Sequence, residues 1–113
     1  VLPAGLPVGD AVATPAFRLP ARWVVHTVGP DRHAGQTDAA LLASCFTRSL
    51  DVAAGLGVQS VAFPAVSAGV YGWAVQDVAR IAVDAVRGWT GGVELVRFVL
   101  FSPHALEAFR SAL

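Results

Sequence analysis

The fold is decided by the stretch from residue 61 to residue 73, which reads Val-Ala-Phe-Pro-Ala-Val-Ser-Ala-Gly-Val-Tyr-Gly-Trp. Its first part is apolar and β-favouring, and a loop of small residues with Ser67, Gly69 and Gly72 then leads to a helical pattern that starts near Ala74. This order suits an anion, because glycine lets the backbone approach a ligand closely and the first turn of a helix offers free N–H groups at a positive dipole end. We therefore expect a phosphate or diphosphate site at residues 67–72.

The known phosphate motifs narrow the kind of site. A Walker-type loop ends in Gly-Lys-Ser/Thr, but all eight basic residues of this chain are arginines and it contains no lysine. The dinucleotide pattern of three glycines also fails, since its first position holds Ser67. The sequence favours a cradle made of backbone N–H groups. A loop whose glycines only make the turn is the alternative.

Length and composition limit the class of protein. The chain has 113 residues, of which 55% are hydrophobic and 14% charged, as expected for one densely packed domain. Its formal net charge is zero, which argues against general binding to nucleic acid or to an acidic membrane surface. Recognition is therefore expected to depend on local groups.

The cysteine and histidine content bears on compartment and metals. Cys45 is the only cysteine, which excludes an internal disulfide and fits a reducing cytoplasm, and no run of 18 apolar residues could span a membrane. His33 and His104 lack partners at metal-ligand spacing. We expect a cytoplasmic protein with neither metal nor cofactor.

Hydrophobic periodicity predicts alternating strands and helices. We expect strands at residues 10–14, 22–29, 58–65 and 93–101, and helices at 39–56, 74–87 and from Pro103 onward. The strand at 22–29 is almost continuously apolar, which favours burial on both faces, and Phe17 and Leu19 are expected to pin the preceding connection to the core. The pattern predicts a layered α/β domain with a mostly parallel sheet.

Parallel strands bring two predicted segments to one crevice. Right-handed crossovers place the carboxyl ends of parallel strands at the same edge of a sheet. Residues 67–72 should therefore meet Phe101 and Ser102, which end the last strand. Phe101 would then be placed to stack on a planar ring while the loop holds phosphate.

Other residues have competing interpretations. Ser67 could be the nucleophile of a loosened nucleophile elbow with a histidine as base, although the elbow requires a helix directly after the serine. His26 is favoured as a structural histidine bonded to a neighbouring loop, and Asp31 and Asp38 as solvated or capping residues with Thr37 as N-cap. Trp73 could line the crevice or anchor the core.

Three ordered motifs, at residues 20–30, 67–72 and 99–101, resemble those of the macro domain, an ADP-ribose-binding module. The resemblance covers essentially the whole chain, which we interpret as a single domain over residues 1–113. It implies a three-layer α/β/α sandwich with a mixed, mostly parallel sheet and a ligand cleft at the strand ends.

The resemblance also implies roles for the residues of the cleft. The backbone of the loop would wrap the diphosphate, the Tyr71 ring would lie against the distal ribose and Phe101 would stack on adenine. The site residues implied in this way are Ser67, Ala68, Gly69, Val70, Tyr71, Gly72 and Phe101.

Many macro domains hydrolyse ADP-ribosyl esters or deacetylate O-acetyl-ADP-ribose with the help of an Asn-Ala-Ala-Asn-like motif and a glycine-rich loop followed by Asp. Neither motif is present, and the chain contains no asparagine. We expect the first strands and the first ligand loop of the family to lie outside this chain, so no catalytic residue is assigned. The implied function is ADP-ribose binding, with hydrolysis of ADP-ribosyl adducts or of O-acetyl-ADP-ribose when the domain is complete. A non-catalytic ADP-ribose reader is the alternative.

Overall fold

A computed structural model of the protein describes residues 5–16, 18 and 20–113, so the expected roles of Phe17 and Leu19 lie outside the described residues. The elements follow in the order β1 (Ala11–Pro15), β2 (Trp23–Thr27), α1 (Ala39–Gly55), β3 (Ser60–Phe63), α2 (Val75–Gly88), β4 (Leu95–Phe98) and α3 (Pro103–Ala112), with a short 3-10 helix at Arg32–Ala34. Every predicted strand and helix is present, and most differ from the prediction by a few residues at their ends.

The first two strands form an antiparallel pair. Ala11 lies opposite Thr27 and Pro15 opposite Trp23. A parallel pairing needs a crossover of about a dozen residues, and the connection between these strands is shorter than that. The structure shows one antiparallel and one parallel pair in its described part, as a mixed sheet requires.

The last two strands form the parallel pair that carries the candidate site. Phe63 lies opposite Phe98, and the Val99 N–H continues the ladder by donating to the Phe63 carbonyl at 2.8 Å. Because α2 forms the crossover between β3 and β4, both strands end at the same edge. The segments that follow β3 and β4 therefore leave the sheet side by side.

Side-chain caps fix where two of the helices begin. The Asp38 carboxylate accepts from the Ala40 N–H at 2.9 Å, so the cap is one residue later than the predicted Thr37. Ser102 caps α3 as predicted, accepting from the Ala105 N–H at 3.1 Å. Pro103 follows at the first helical position, where its missing N–H costs nothing.

The core joins all three helices to the parallel strands. Phe46 of α1 packs edge-on against Phe63 with ring centroids 5.1 Å apart, and Phe98 lies 4.9 Å from Phe109 of α3. The buried members of this cluster are Leu42, Phe46, Leu50, Phe63, Trp73, Val78, Ala79, Ala82, Val83 and Phe109. The three helices and the parallel strands β3 and β4 thus share one hydrophobic core.

The predicted α/β class and mixed strand pairing are confirmed. The expectation that β2 is buried on both faces is wrong, since every residue of Trp23–Thr27 is only partly buried. In the described part of the chain β2 hydrogen-bonds to β1 alone, so its other edge has no neighbouring strand. None of the helices described is both long and apolar enough to cross a membrane.

Candidate anion-binding site

The candidate site is the loop that connects β3 to α2. It leaves the sheet after Phe63 and reaches the helix at Val75, with residues 67–72 at its outer end. Val70 is 86% exposed and Tyr71 is 41% exposed, whereas Trp73 is almost fully buried. The loop is therefore anchored at its helical end and open at residues 70 and 71.

Hydrogen bonds within the loop set its shape. The Ala68 N–H donates to the Ala65 carbonyl at 3.2 Å, and the Gly69 N–H donates to the Trp73 carbonyl at 3.2 Å. The Gly72 N–H closes a turn on the Gly69 carbonyl at 2.8 Å. These three N–H groups already donate hydrogen bonds within the loop. Fewer backbone N–H groups are therefore available to a ligand than the sequence predicted.

The remaining amides of the loop have no hydrogen-bond partner among the described residues. They belong to Ser67, Val70 and Tyr71, and the last two occupy the centre of the turn between Gly69 and Gly72. Successive N–H groups of a turn form a concavity that binds anions. The geometry thus offers a backbone anion site that requires no lysine.

Positive φ angles explain where the glycines of the loop stand. Gly69 has a φ of 77° and Gly72 a φ of 81°, both in the left-handed region that a side chain disfavours. A Cβ added at Gly69 would meet no other protein atom within 4 Å. The space in front of Gly69 is therefore open, as a ligand held by the turn would require.

Phe101 lies after β4, at the sheet edge where the loop also leaves β3, and it does not pack into the core. It follows β4 by three residues, while the loop follows the neighbouring strand β3 at the same edge. The residue is 90% exposed, although phenylalanine is usually buried. The structure thus leaves the faces of the Phe101 ring free at the edge where the loop begins.

The structure decides the role of Trp73, for which the sequence left two possibilities. Trp73 is 5% exposed and belongs to the core cluster, and its indole Nε1–H donates to the Pro30 carbonyl at 3.0 Å. It is a core anchor that fixes the helical end of the loop. Tyr71, in contrast, is 41% exposed.

The structure gives no support to a serine nucleophile at Ser67. The helix that an elbow requires directly after the serine begins only at Val75. The Ser67 Oγ is buried and has no hydrogen-bond partner in the described part of the chain, so no base is in place to activate it. Its φ of 66° is unusual for a residue other than glycine and belongs to the turn geometry.

The remaining polar candidates have structural roles. His26 Nε2 lies 2.8 Å from Thr14 Oγ1 across the antiparallel pair, so His26 is structural as expected, with a strand rather than a loop as its partner. Asp31 and Asp38 both act as caps, as predicted. Over the residues that the structure describes, no three His, Cys, Asp or Glu side chains form a group that could hold a metal ion.

Cys45 is buried inside α1 and its Sγ lies 3.4 Å from the Val28 carbonyl. Burial raises the pKa of the Cys45 thiol above its ordinary value of 9.0, because a thiolate is poorly solvated there. The thiol therefore stays protonated at neutral pH. It is a core residue rather than a reactive group.

Sequence reasoning missed the segment at residues 29–36, which lies against the candidate loop. The Arg32 N–H donates to the Tyr71 carbonyl at 2.9 Å, and an atom added at Gly72 would come within 3.0 Å of the His33 ring. The sequence predicts a polar turn at residues 31–36 and assigns these residues no partner. The signal that could have found them is their position directly after β2, because strand ends and the loops that follow them gather at a sheet edge.

Comparison with protein families gives one clear match. The model of the macro domain family matches residues 2–82. A macro domain-containing protein of Streptomyces griseus is 57% identical to the chain over 110 residues, which is 96% of the chain and 62% of that protein. A macro domain-containing protein of Streptomyces coelicolor is 53% identical over 109 residues, covering 96% of the chain and 64% of its own length.

Solved structures agree with this match. The Oceanobacillus iheyensis macrodomain with ADP superposes with a TM-score of 0.87 at 32% identity, over 95% of this chain and 58% of that one. The Trypanosoma brucei macrodomain in complex with ADP-ribose superposes with a TM-score of 0.80 at 28% identity, over 93% and 45%. The chain thus spans less than two thirds of the length of these relatives.

Proposed function

The chain belongs to the macro domain family, and on that premise we propose that it binds ADP-ribose at the edge where β3 and β4 end. In this proposal residues 67–72 hold the diphosphate and Phe101 stacks on the adenine. The observation that carries the proposal is the set of free N–H groups at Ser67, Val70 and Tyr71, together with an exposed aromatic ring that follows the neighbouring strand at the same sheet edge.

A diphosphate suits these amides for an electrostatic reason. Hydrogen bonds from neutral N–H groups to a charged oxygen are stronger than those between neutral groups, at roughly 1.5–3 kcal/mol each. Backbone donors keep their position without the entropy cost of ordering a long side chain. A cradle of this kind can therefore hold a diphosphate although the chain contains no lysine.

The purine would supply the second part of the affinity. A base stacked on an aromatic side chain contributes about 1–3 kcal/mol in proteins that bind nucleic acids. Phe101 is 90% exposed, so stacking would cost no core contact. Tyr71, which is 41% exposed at the centre of the turn, is the residue proposed to contact the distal ribose.

The binding proposal is tested by calorimetric titration of the protein at its native length. ADP-ribose, ADP, AMP and inorganic phosphate are compared, and the same series is repeated with the 113-residue chain. We expect ADP-ribose to bind more tightly than AMP, because only the former presents both a diphosphate and a distal ribose. Equal affinity for AMP and ADP-ribose, or no heat with either, would contradict the proposed diphosphate site.

We further propose that the native-length protein hydrolyses ADP-ribosyl adducts or O-acetyl-ADP-ribose. The described residues contain no activated nucleophile at the loop, which favours positioning of the substrate and of an attacking water over a covalent step. The test measures release of ADP-ribose from a modified protein and of acetate from O-acetyl-ADP-ribose. Tight binding without either product would leave the alternative, a reader of ADP-ribose.

A cytoplasmic location remains part of the proposal. A single buried thiol at Cys45 is compatible with a reducing compartment. Fractionation of cells that produce the native-length protein tests this, and recovery outside the cytoplasm would contradict it.

A further inference from the structure

The segment at residues 29–36 lies against the loop between β3 and α2 through Gly29, Pro30, Arg32 and His33. Its first contact is at Gly29, which faces the Ser67 side chain. A Cβ at Gly29 would overlap with Ser67 Oγ and would lie 3.0 Å from Val66 Cγ1. Gly29 is therefore the residue that allows the end of β2 to pack directly against the start of the loop.

Arg32 makes the next contacts, at the middle and the far end of the loop. Its backbone N–H donates to the Tyr71 carbonyl at 2.9 Å, which fixes the peptide beside the free N–H groups of the turn. Its guanidinium carbon lies 5.1 Å from the centroid of the Trp73 ring, within the range of a cation–π contact. Arg32 thus bridges the exposed turn and the buried anchor of the loop.

Two further contacts join the segment to the loop. The Pro30 carbonyl accepts the hydrogen bond from Trp73 Nε1. His33 lies so close to Gly72 that a Cβ there would come within 3.0 Å of two of its ring atoms. The segment therefore contacts the loop at residues 66, 67, 71, 72 and 73.

The segment is itself closed by hydrogen bonds, so it can act as a rigid support. The Asp31 N–H donates to the Gln36 side chain at 2.8 Å, and the Gln36 N–H returns a bond to the Asp31 carbonyl at 3.0 Å. The Asp31 carboxylate also caps the 3-10 helix by accepting from the His33 N–H at 2.9 Å. These bonds hold the helix Arg32–Ala34 in place before any ligand arrives.

We propose that residues 29–36 form a brace that keeps residues 67–72 in their binding conformation, and that Arg32 is its positioning residue. Arg32 acts through the loop and need not touch the ligand. The identity of the ligand rests on the proposed function, but the conformational order of residues 67–72 in the absence of ligand does not depend on it. Loop order measured without ligand therefore tests the brace separately from ADP-ribose binding.

The first experiment compares Arg32→Ala with Arg32→Lys in the native-length protein. Amide hydrogen exchange at residues 67–73 is measured without ligand, and ADP-ribose affinity is measured by calorimetry. Loss of an exposed cation–π contact predicts about two- to fivefold faster exchange in Arg32→Ala and an affinity loss of the same order. Arg32→Lys keeps a cation over the indole and should recover much of both.

The matched control is Arg80→Ala. The Arg80 guanidinium pairs with Asp77 at 3.2 Å on α2 and is mostly exposed, so its removal should change neither loop exchange nor affinity. Unchanged loop exchange in Arg32→Ala would overturn the brace. An affinity loss without faster exchange would overturn it as well, because Arg32 would then act on the ligand itself.

A second experiment tests the packing at Gly29. Gly29→Ala should accelerate loop exchange, whereas Gly88→Ala, which adds a Cβ with no protein atom within 4 Å, should not. Adding Ser67→Gly to Gly29→Ala removes the overlapping Oγ and should restore slower exchange. If Gly29→Ala leaves loop exchange at the wild-type rate, or if the double variant recovers nothing, the proposed contact between brace and loop is wrong.

Discussion

A valine at position 69 should abolish ligand binding at a modest cost in stability. Gly69 has a φ of 77°, and a Cβ there would meet no protein atom within 4 Å. The Cβ of the new side chain therefore meets no neighbouring group of the protein. The stability cost of the substitution comes from the left-handed backbone, which disfavours a side chain by about 1–2 kcal/mol.

The same change at Gly57 provides the matched control. Gly57 has a φ of 73°, a Cβ there would also meet nothing within 4 Å, and the residue follows α1 at the opposite end of β3 from the loop. Gly57→Val should therefore cost about the same 1–2 kcal/mol of unfolding free energy. Only Gly69→Val should place atoms in the space proposed for the diphosphate.

The expected loss of affinity follows from the hydrogen bonds between backbone N–H groups and the diphosphate that the substitution would break. If the valine side chain displaces the diphosphate from two N–H donors, two hydrogen bonds of roughly 1.5 kcal/mol or more each are lost. The total of about 3 kcal/mol corresponds to an affinity loss of about a hundredfold or greater. Urea unfolding and ADP-ribose calorimetry on both variants provide the comparison. Wild-type affinity in Gly69→Val, or an equal loss in Gly57→Val, would refute the assignment of the loop.

Three further changes test other parts of the molecule. Phe101→Ala should lower ADP-ribose affinity by about five- to a hundredfold in calorimetry, from the loss of roughly 1–3 kcal/mol of stacking, with an unchanged melting temperature because Phe101 is 90% exposed. Phe109→Ala should destabilise the fold by about 3–5 kcal/mol in urea unfolding, since Phe109 is 4% exposed in the core. The pKa of the Cys45 thiol is raised by burial above the unfolded value of 9.0. Below that pH the thiol is protonated in both the folded and the unfolded state, and its contribution to stability is fully present. As the pH rises further the unfolded state loses its proton first, so this contribution is lost. Unfolding free energies of wild type and Cys45→Ala should therefore converge or cross as the pH rises from about 8 to about 10, and parallel curves would contradict the pKa shift.

Local patterns in the sequence were sufficient for the elements and for the position of the loop. The spacing of apolar residues predicted α1 at residues 39–56, and the structure has Ala39–Gly55. The Ser102-Pro103 pair predicted the start of α3 because both residues act within one turn of the helix. Glycines at 69 and 72 marked the loop because only glycine takes their φ without strain.

Features that depend on contacts between distant segments could not be predicted in the same way. The sequence suggested that the whole loop faces the ligand, but the N–H groups of Ala68 and Gly69 bond inside it. Which amides remain free depends on the detailed backbone angles. The position of Trp73 was likewise decided by the Pro30 carbonyl, 43 residues away in the chain.

The brace at residues 29–36 could not be predicted, because no residue pattern in the sequence indicates its contacts with the loop. Asp31, Gln36 and Gly35 are typical of a solvated turn, and the sequence alone assigned them no partner. Their function in the fold appears only when β2 and β3 bring their ends to the same region. The contact between Arg32 and Tyr71 is a tertiary hydrogen bond that local sequence does not encode.

The most direct test of the account is a crystal structure of the native-length protein with ADP-ribose. The account predicts diphosphate oxygens about 3 Å from the backbone nitrogens of Ser67, Val70 and Tyr71, with the adenine against the Phe101 ring. A diphosphate bound away from these three amides, or an adenine that does not contact Phe101, would contradict it.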